Sequence, residues 1–207
     1  MKKYMALAAI AAACPLASAN IVVNGSFEDP ALTNLSDDGL GIYWYTFVGA
    51  NGFTGWTHPF MVGAVDRPGA WEASHGLQYI NIESSRGFFI EQRVPTTPGA
   101  TYLLSFDYAP DPFETPGSTE SDIGVYFGGN LVGIASGDDS TVGNLNWTNY
   151  SLQVTSPSSL TLLRFEDRGS AGSTGGYLDN VSLVLIPTPA SLGLLIGAAP
   201  LLARRRR

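Results

Sequence analysis

Between Thr101 and Tyr108 the chain reads TYLLSFDY. In an extended backbone Tyr102, Leu104, Phe106 and Tyr108 share one face, and Leu103, Ser105 and Asp107 take the other. That alternation predicts a half-buried β-strand. Further strand-length runs follow the same logic: LQYINIE, GFFIEQRV, DIGVYFGG, WTNYSLQV, LTLLRFED and YLDNVSLVL. Gly, Pro, Asn, Asp and Ser punctuate them, as turns require. No amphipathic helix of any length stands out between Asn20 and Ile186. About eight to ten strands in one unit predict two packed antiparallel sheets, an all-β sandwich. DPALTNLSDDGLG, PDPFETPGSTESD and SGDDSTVGN read as exposed acidic loops.

Composition agrees with this pattern. Of 207 residues, 24 are Gly and 13 Pro, and charged residues are only 14%. Six of the eleven basic residues sit at the ends: Lys2, Lys3 and Arg204 to Arg207. The body keeps five arginines (Arg67, Arg86, Arg93, Arg164, Arg168), no lysine and all 18 acids, a net charge of −13. Such a surface repels phosphate backbones, so nucleic acid is excluded as a partner. Cys14 is the only cysteine, which excludes an intrachain disulfide and a Cys-based zinc site.

The two ends read as processing segments. Lys2 and Lys3, an Ala/Leu-rich stretch and Ala17-Ser18-Ala19 form a secretory signal over residues 1–19, cut before Asn20. Lipid attachment at Cys14 is the rival use of that leader. At the other end, Ala190 to Ala203 is almost wholly apolar and spans about 21 Å as a helix. That is short of the ~30 Å hydrocarbon core. Pro187-Thr188-Pro189 precedes it and four arginines follow. Residues 187–207 thereby resemble the bacterial PEP-CTERM sorting signal, with Thr188 where the usual middle residue is Glu. The resemblance implies transient or permanent insertion of the C-terminal helix in the inner membrane and handling by an exosortase-type protease. It implies delivery to the cell surface or an extracellular matrix.

The body, residues 20–186, carries IVVNGSFEDP, GFTGWT, GLQYINI, TYLLSFDY, WTNYSLQV and GGYLDNVSLV in order. This resembles the secreted galactose-binding-like domains grouped as domain of unknown function 642, with bacterial choice-of-anchor proteins among them. Carbohydrate-binding modules with an NGGFE … DDVSL frame are similar. The resemblance implies a jelly-roll sandwich whose first and last strands neighbour each other. It implies core positions for Phe27, Trp56, Tyr102 and Trp147.

Alternation along Tyr177 to Leu185 places Asp179 on the side of Val181, Leu183 and Leu185. If that side is the core, a carboxylate points inward and needs a partner. Glu28, closing NGSFE, is the natural second acid. Two carboxylates with backbone carbonyls suit calcium. The resembled modules imply such a structural Ca2+, carried here to Glu28 and Asp179, with Asn180 a lesser candidate. The other reading is that both acids accept hydrogen bonds from turn amides.

For ligands, sugar rings stack on aromatic faces while their hydroxyls meet polar side chains. Tyr43, Trp44 and Tyr45 are adjacent, so a strand cannot bury all three on one face. Trp44 and Trp71, with Tyr43 and Tyr45, are therefore the candidate sugar contacts, and His75 could donate to a hydroxyl. Glu72, Glu83, Glu91, Asp107 and Asp111 could each belong to a glycosidase pair, but nothing singles out two of them. No G-x-S-x-G elbow, phosphate loop or dinucleotide fingerprint occurs. The expectation is a non-catalytic module for extracellular polysaccharide. The alternatives are a structural or adhesive surface protein and, less favoured, a glycan or ester hydrolase.

Overall fold

The computed structural model describes residues 19–32, 36–37, 43–48, 52–58, 60–65, 71–82, 88–115, 117–137, 139–141, 143–169 and 175–187. The expected leader with Cys14, and the expected sorting segment beyond Pro187, lie outside them. Among the described residues every regular element is a strand. They are β1 (Ser36–Asp37), β2 (Tyr43–Val48), β3 (Phe60–Val65), β4 (Gln78–Ile82), β5 (Phe89–Pro95), β6 (Thr101–Ala109), β7 (Ile123–Phe127), β8 (Asn130–Ala135), β9 (Thr148–Thr155), β10 (Leu160–Asp167) and β11 (Gly176–Leu185). No helix among these residues is long and apolar enough to cross a membrane.

The strands form a seven-stranded sheet, β1-β2-β3-β4-β11-β6-β9, and a four-stranded sheet, β5-β10-β7-β8. All pairings are antiparallel. From β4 onward the chain crosses repeatedly between sheets, which makes this a jelly-roll sandwich. The alternation read from TYLLSFDY holds: Tyr102, Leu104, Phe106 and Tyr108 are buried and Leu103 is exposed. They face Ile90, Val94, Leu163 and Phe165 of the smaller sheet in one apolar core. Burying each such side chain contributes about 1.5–3 kcal/mol.

The N-terminal segment completes the larger sheet. Ile21 N–H donates to Leu183 O (3.0 Å), and Val181 N–H donates to Gly25 O (2.8 Å). The Asn20 side chain accepts from Leu183 N–H at 2.9 Å. The first and last segments therefore do lie side by side. Phe27 follows with a left-handed backbone (φ 57°) and fully buried, against Phe53 at 5.7 Å and Trp56 at 5.4 Å between ring centroids. The core positions expected for Phe27, Trp56 and Tyr102 are observed. Trp147 differs: it is only half-buried and packs in a second, smaller cluster outside the core.

Alternation fails within β11. Leu178 and Val181 both enter the main core although three positions apart. The β11–β6 register shifts between Asp179 and Ser182, and Asn180 is left-handed (φ 51°). This bulge resets the period. Asp179 therefore faces away from Val181, Leu183 and Leu185, opposite to the sequence expectation. It points to the outer face of the larger sheet, beside its register partner Asp107.

Gly25 is fixed by this arrangement, because a Cβ there would overlap the Val181 carbonyl. We expect Gly25→Ala to lower stability by about 2 kcal/mol. Gly143→Ala, whose Cβ would meet nothing within 4 Å, should stay within about 0.5 kcal/mol. Urea unfolding of the two variants checks this.

Candidate functional site

The outer face of the seven-stranded sheet is where the distinctive chemistry collects. Tyr79, Asn81, Asp107, Ala109, Tyr177 and Asp179 alternate onto it from β4, β6 and β11. Two loops cover it in part, residues 71–77 and 139–147. Trp147 Nε1–H donates to Glu72 O at 2.8 Å and ties the loops together.

Asp179 is fully buried beneath the first loop. Its Oδ2 accepts from His75 N–H (2.8 Å) and meets Ser74 Oγ (3.0 Å), and its Oδ1 accepts from Asn180 N–H (2.6 Å). Ser74 Oγ also lies 2.8 Å from Asp107 Oδ2, which accepts from Asn180 Nδ2 at 3.0 Å. One serine hydroxyl carries one proton and can donate to only one carboxylate. Burial pushes the Asp179 carboxyl up to about 7, against its hydrogen bonds from His75, Asn180 and Ser74, and Asp107 adds to the rise. The two carboxyls share the Ser74 hydroxyl, and Asp179 is the one whose neutral form burial favours.

Glu28 serves the same loop from the other side. Its Oε1 accepts from Leu77 N–H (2.7 Å) and Gln78 N–H (2.8 Å). Gly76 between them is left-handed (φ 80°), and a Cβ there would overlap the Glu28 carboxylate. So the two acids singled out in the sequence converge on one five-residue turn, residues 74–78, from opposite ends of the chain. Three of their four oxygens have turn or strand donors. Among the described residues no three acidic, His or Cys side chains group as a metal site. The turn-amide reading describes the contacts present.

Ser26 Oγ and His75 Nδ1 are 2.9 Å apart and exposed. Such a pair invites a hydrolase comparison. Here Asp179 accepts from the His75 backbone and not from its ring, and Glu28 occupies the neighbouring amides that could stabilise an oxyanion. The geometry anchors a turn.

Beside this turn lies the second aromatic cluster: Trp71, Tyr79, Ala109, Leu145 and Tyr177, with Trp147 against it. Trp71 is 5% exposed, edge-to-face with Tyr177 at 5.7 Å. The open ring proposed for Trp71 is therefore corrected: its faces are taken by packing. Phe113, in the loop after β6, tilts against Trp71 at 5.8 Å and is 55% exposed. Asp111 holds this corner, accepting from Phe113 N–H (2.7 Å) and from Tyr177 Oη–H (2.9 Å). Sequence reasoning passed over Phe113 because its acidic, Pro-rich loop hides a single ring. The signal was the isolated aromatic in PDPFETPG. Tyr43, Trp44 and Tyr45 do lie in a strand, β2, with Trp44 opposite Ala64 of β3 and Ala64 opposite Tyr79 of β4. Their side chains lie outside the described residues.

No protein-family model matches the chain, and no curated protein matches it. Solved structures similar to it include a family 35 carbohydrate-binding module from Clostridium thermocellum (16% identity, 68% of this chain and 90% of that one, TM-score 0.42). TmCBM61 in complex with β-1,4-galactotriose is another (19%, 82% and 100%, TM-score 0.43). A third is the CBM22-1 xylan-binding domain from Paenibacillus barcinonensis (15%, 70% and 94%, TM-score 0.46).

The raised Asp179 carboxyl sets a pH dependence. An acid raised in the folded state binds its proton there over a range in which the unfolded chain has released it. Its contribution to stability is full below about pH 4 and is lost as pH rises toward about 7. We expect Asp179→Asn to start from a lower stability, since its amide nitrogen cannot accept from His75. The gap to wild type should then narrow from pH 4 to 7, read by chemical denaturation in the presence of chelator.

Proposed function

We propose that this chain is a non-catalytic carbohydrate-binding module that recognises extracellular polysaccharide through the outer face of its larger sheet. The observation that carries the reading is the Phe113 ring, more than half exposed and backed by the buried Trp71. A rigid, exposed ring offers the apolar face on which a pyranose stacks. Polar groups stand on the same sheet for its hydroxyls: Asn81, Asn149, Asn180 and Asp107. Trp44 of β2 extends the same reading along the sheet, with Tyr43 and Tyr45 beside it. Secretion by the leader, sorting by the C-terminal segment through an exosortase-type protease, and a cell-surface or matrix destination complete the proposal.

Pull-down on insoluble polysaccharides and a glycan array test it. Binding should weaken about tenfold, or about 1.4 kcal/mol, in Phe113→Ala and again in Trp44→Ala. Retention of full binding by both variants would leave a structural or adhesive surface protein as the better account.

A structural Ca2+ held by Glu28 and Asp179 is a second proposal. Its support is that both acids reach one turn from the two ends of the chain. Calcium there must displace donors that already satisfy the carboxylates. The expected sign is a chelator-induced drop in the melting midpoint that Glu28→Gln abolishes; an unchanged midpoint removes calcium from these residues.

A further inference from the structure

The end of the sandwich from which β11 runs out is built by four segments: residues 96–100, 128–131, 156–160 and 185–187. Gly128 N–H donates to Leu162 O (2.8 Å), Thr96 N–H to Ser159 O (3.0 Å), Gly99 N–H to Ser156 O (2.8 Å) and Ile186 N–H to Thr101 O (2.9 Å). The hydroxyls of Thr96, Ser156 and Thr161 lie no more than 2.9 Å apart and brace these turns from within. None of the four segments contains a charged residue, although the body is strongly acidic. Acids gather at the opposite end, with Asp111, Glu114, Glu120 and Asp122 between β6 and β7 and Asp139 after β8. What the uncharged end exposes is apolar: Leu131, Leu160 and Leu185 are 46%, 51% and 36% exposed.

The chain continues from this same end toward the apolar run 190–203. Ile186 is still bonded to the sheet, and only residues 187–189 separate it from that run. Three extended residues reach at most about 10 Å. The headgroup layer on each side of the hydrocarbon already takes about 5–8 Å. Once residues 190–203 enter a bilayer, the sandwich cannot stand off from it, and one of its surfaces must meet the headgroups. An acidic surface within a Debye length of an anionic leaflet, about 10 Å, is repelled. The uncharged end meets no such repulsion, and its leucines gain by leaving water.

We propose that this end of the sandwich docks on a lipid surface with anionic headgroups, with Leu131, Leu160 and Leu185 at the interface. The docking rests on insertion of residues 190–203 and is independent of the sugar reading. It turns the acidic end, with the Phe113 loop between β6 and β7, away from the bilayer.

The full chain on vesicles of phosphatidylcholine and phosphatidylglycerol tests it, with a nitroxide quencher on the lipid headgroups. In a Cys14→Ser background, a fluorophore is attached through Leu160→Cys or, at the acidic end, through Gly143→Cys. The Leu160→Cys label should be quenched and the Gly143→Cys label should not. Equal quenching at both sites, or quenching through Gly143→Cys alone, overturns the docking. Leu160→Glu should lower partitioning onto these vesicles about fivefold, and Gly143→Glu should leave it unchanged. Partitioning indifferent to Leu160→Glu overturns the docking as well. Leu195→Asp, inside the apolar run, separates the two readings. Vesicle flotation lost in Leu195→Asp but with equal quenching at both sites removes the docking and keeps insertion. Flotation that survives Leu195→Asp removes insertion and the docking with it.

Discussion

A single left-handed residue governs much of this molecule. Asn180 interrupts β11, and the halves on either side have different partners. Before it, Gly176 to Leu178 pair with β4. After it, Val181 and Leu183 exchange hydrogen bonds with the N-terminal segment. The bulge lets one strand close the sheet against two neighbours in succession. It also turns Asp179 from the core to the outer face, where the 74–78 turn can settle over it. Asparagine suits the position, since it tolerates φ > 0 better than most residues, and its side chain returns a hydrogen bond to Asp107.

The strands themselves were legible because period two is a local property. Tyr102, Leu104, Phe106 and Tyr108 carry their burial in their spacing. Gly, Pro and Asn marked the breaks well enough to place the sandwich. Asp179 was misread because one inserted residue inverts parity, and nothing in YLDNVSLVL announces the insertion. Its importance was legible all the same, along with that of Glu28, since both acids abut strongly apolar runs. Trp71 was misread for another reason. Its burial comes from Phe113 and Tyr177, distant in sequence, and only the fold brings them together. Trp147 went the opposite way, assigned to the core and found on a covering loop.

The scarcity of basic residues shapes the electrostatics. Arg164 is spent on the exposed side of the smaller sheet. It bridges Glu91 at 2.7 Å and Glu166 at 3.1 Å, and its guanidinium lies 3.8 Å from the centre of the Phe89 ring. Partly exposed pairs of this kind contribute modestly, but they engage one of the two arginines set among those strands, the other being Arg93 of β5. The buried acids must find other partners. Asp111 takes a tyrosine hydroxyl and a backbone amide; Asp179 takes amides and a serine. Asp167 has one amide and an oxygen left over. The three acids therefore form a series, from two carboxyls with partners on both sides to one with an oxygen left over.

That series bears on how the two faces of the sandwich divide their work. On the smaller sheet, ion pairing and cation–π packing give the outer side chains partners within the protein. On the larger sheet, hydrogen bonds to carboxyl groups and aromatic contacts do the holding, and a ring more than half exposed remains at Phe113. Charged groups locked in pairs make poor partners for an uncharged sugar, because breaking them costs more than a hydroxyl returns. A stacked ring beside neutral amides asks for no such exchange. Among the described residues the outer face of the larger sheet carries no ion pair, and the proposed sugar reading draws on that feature.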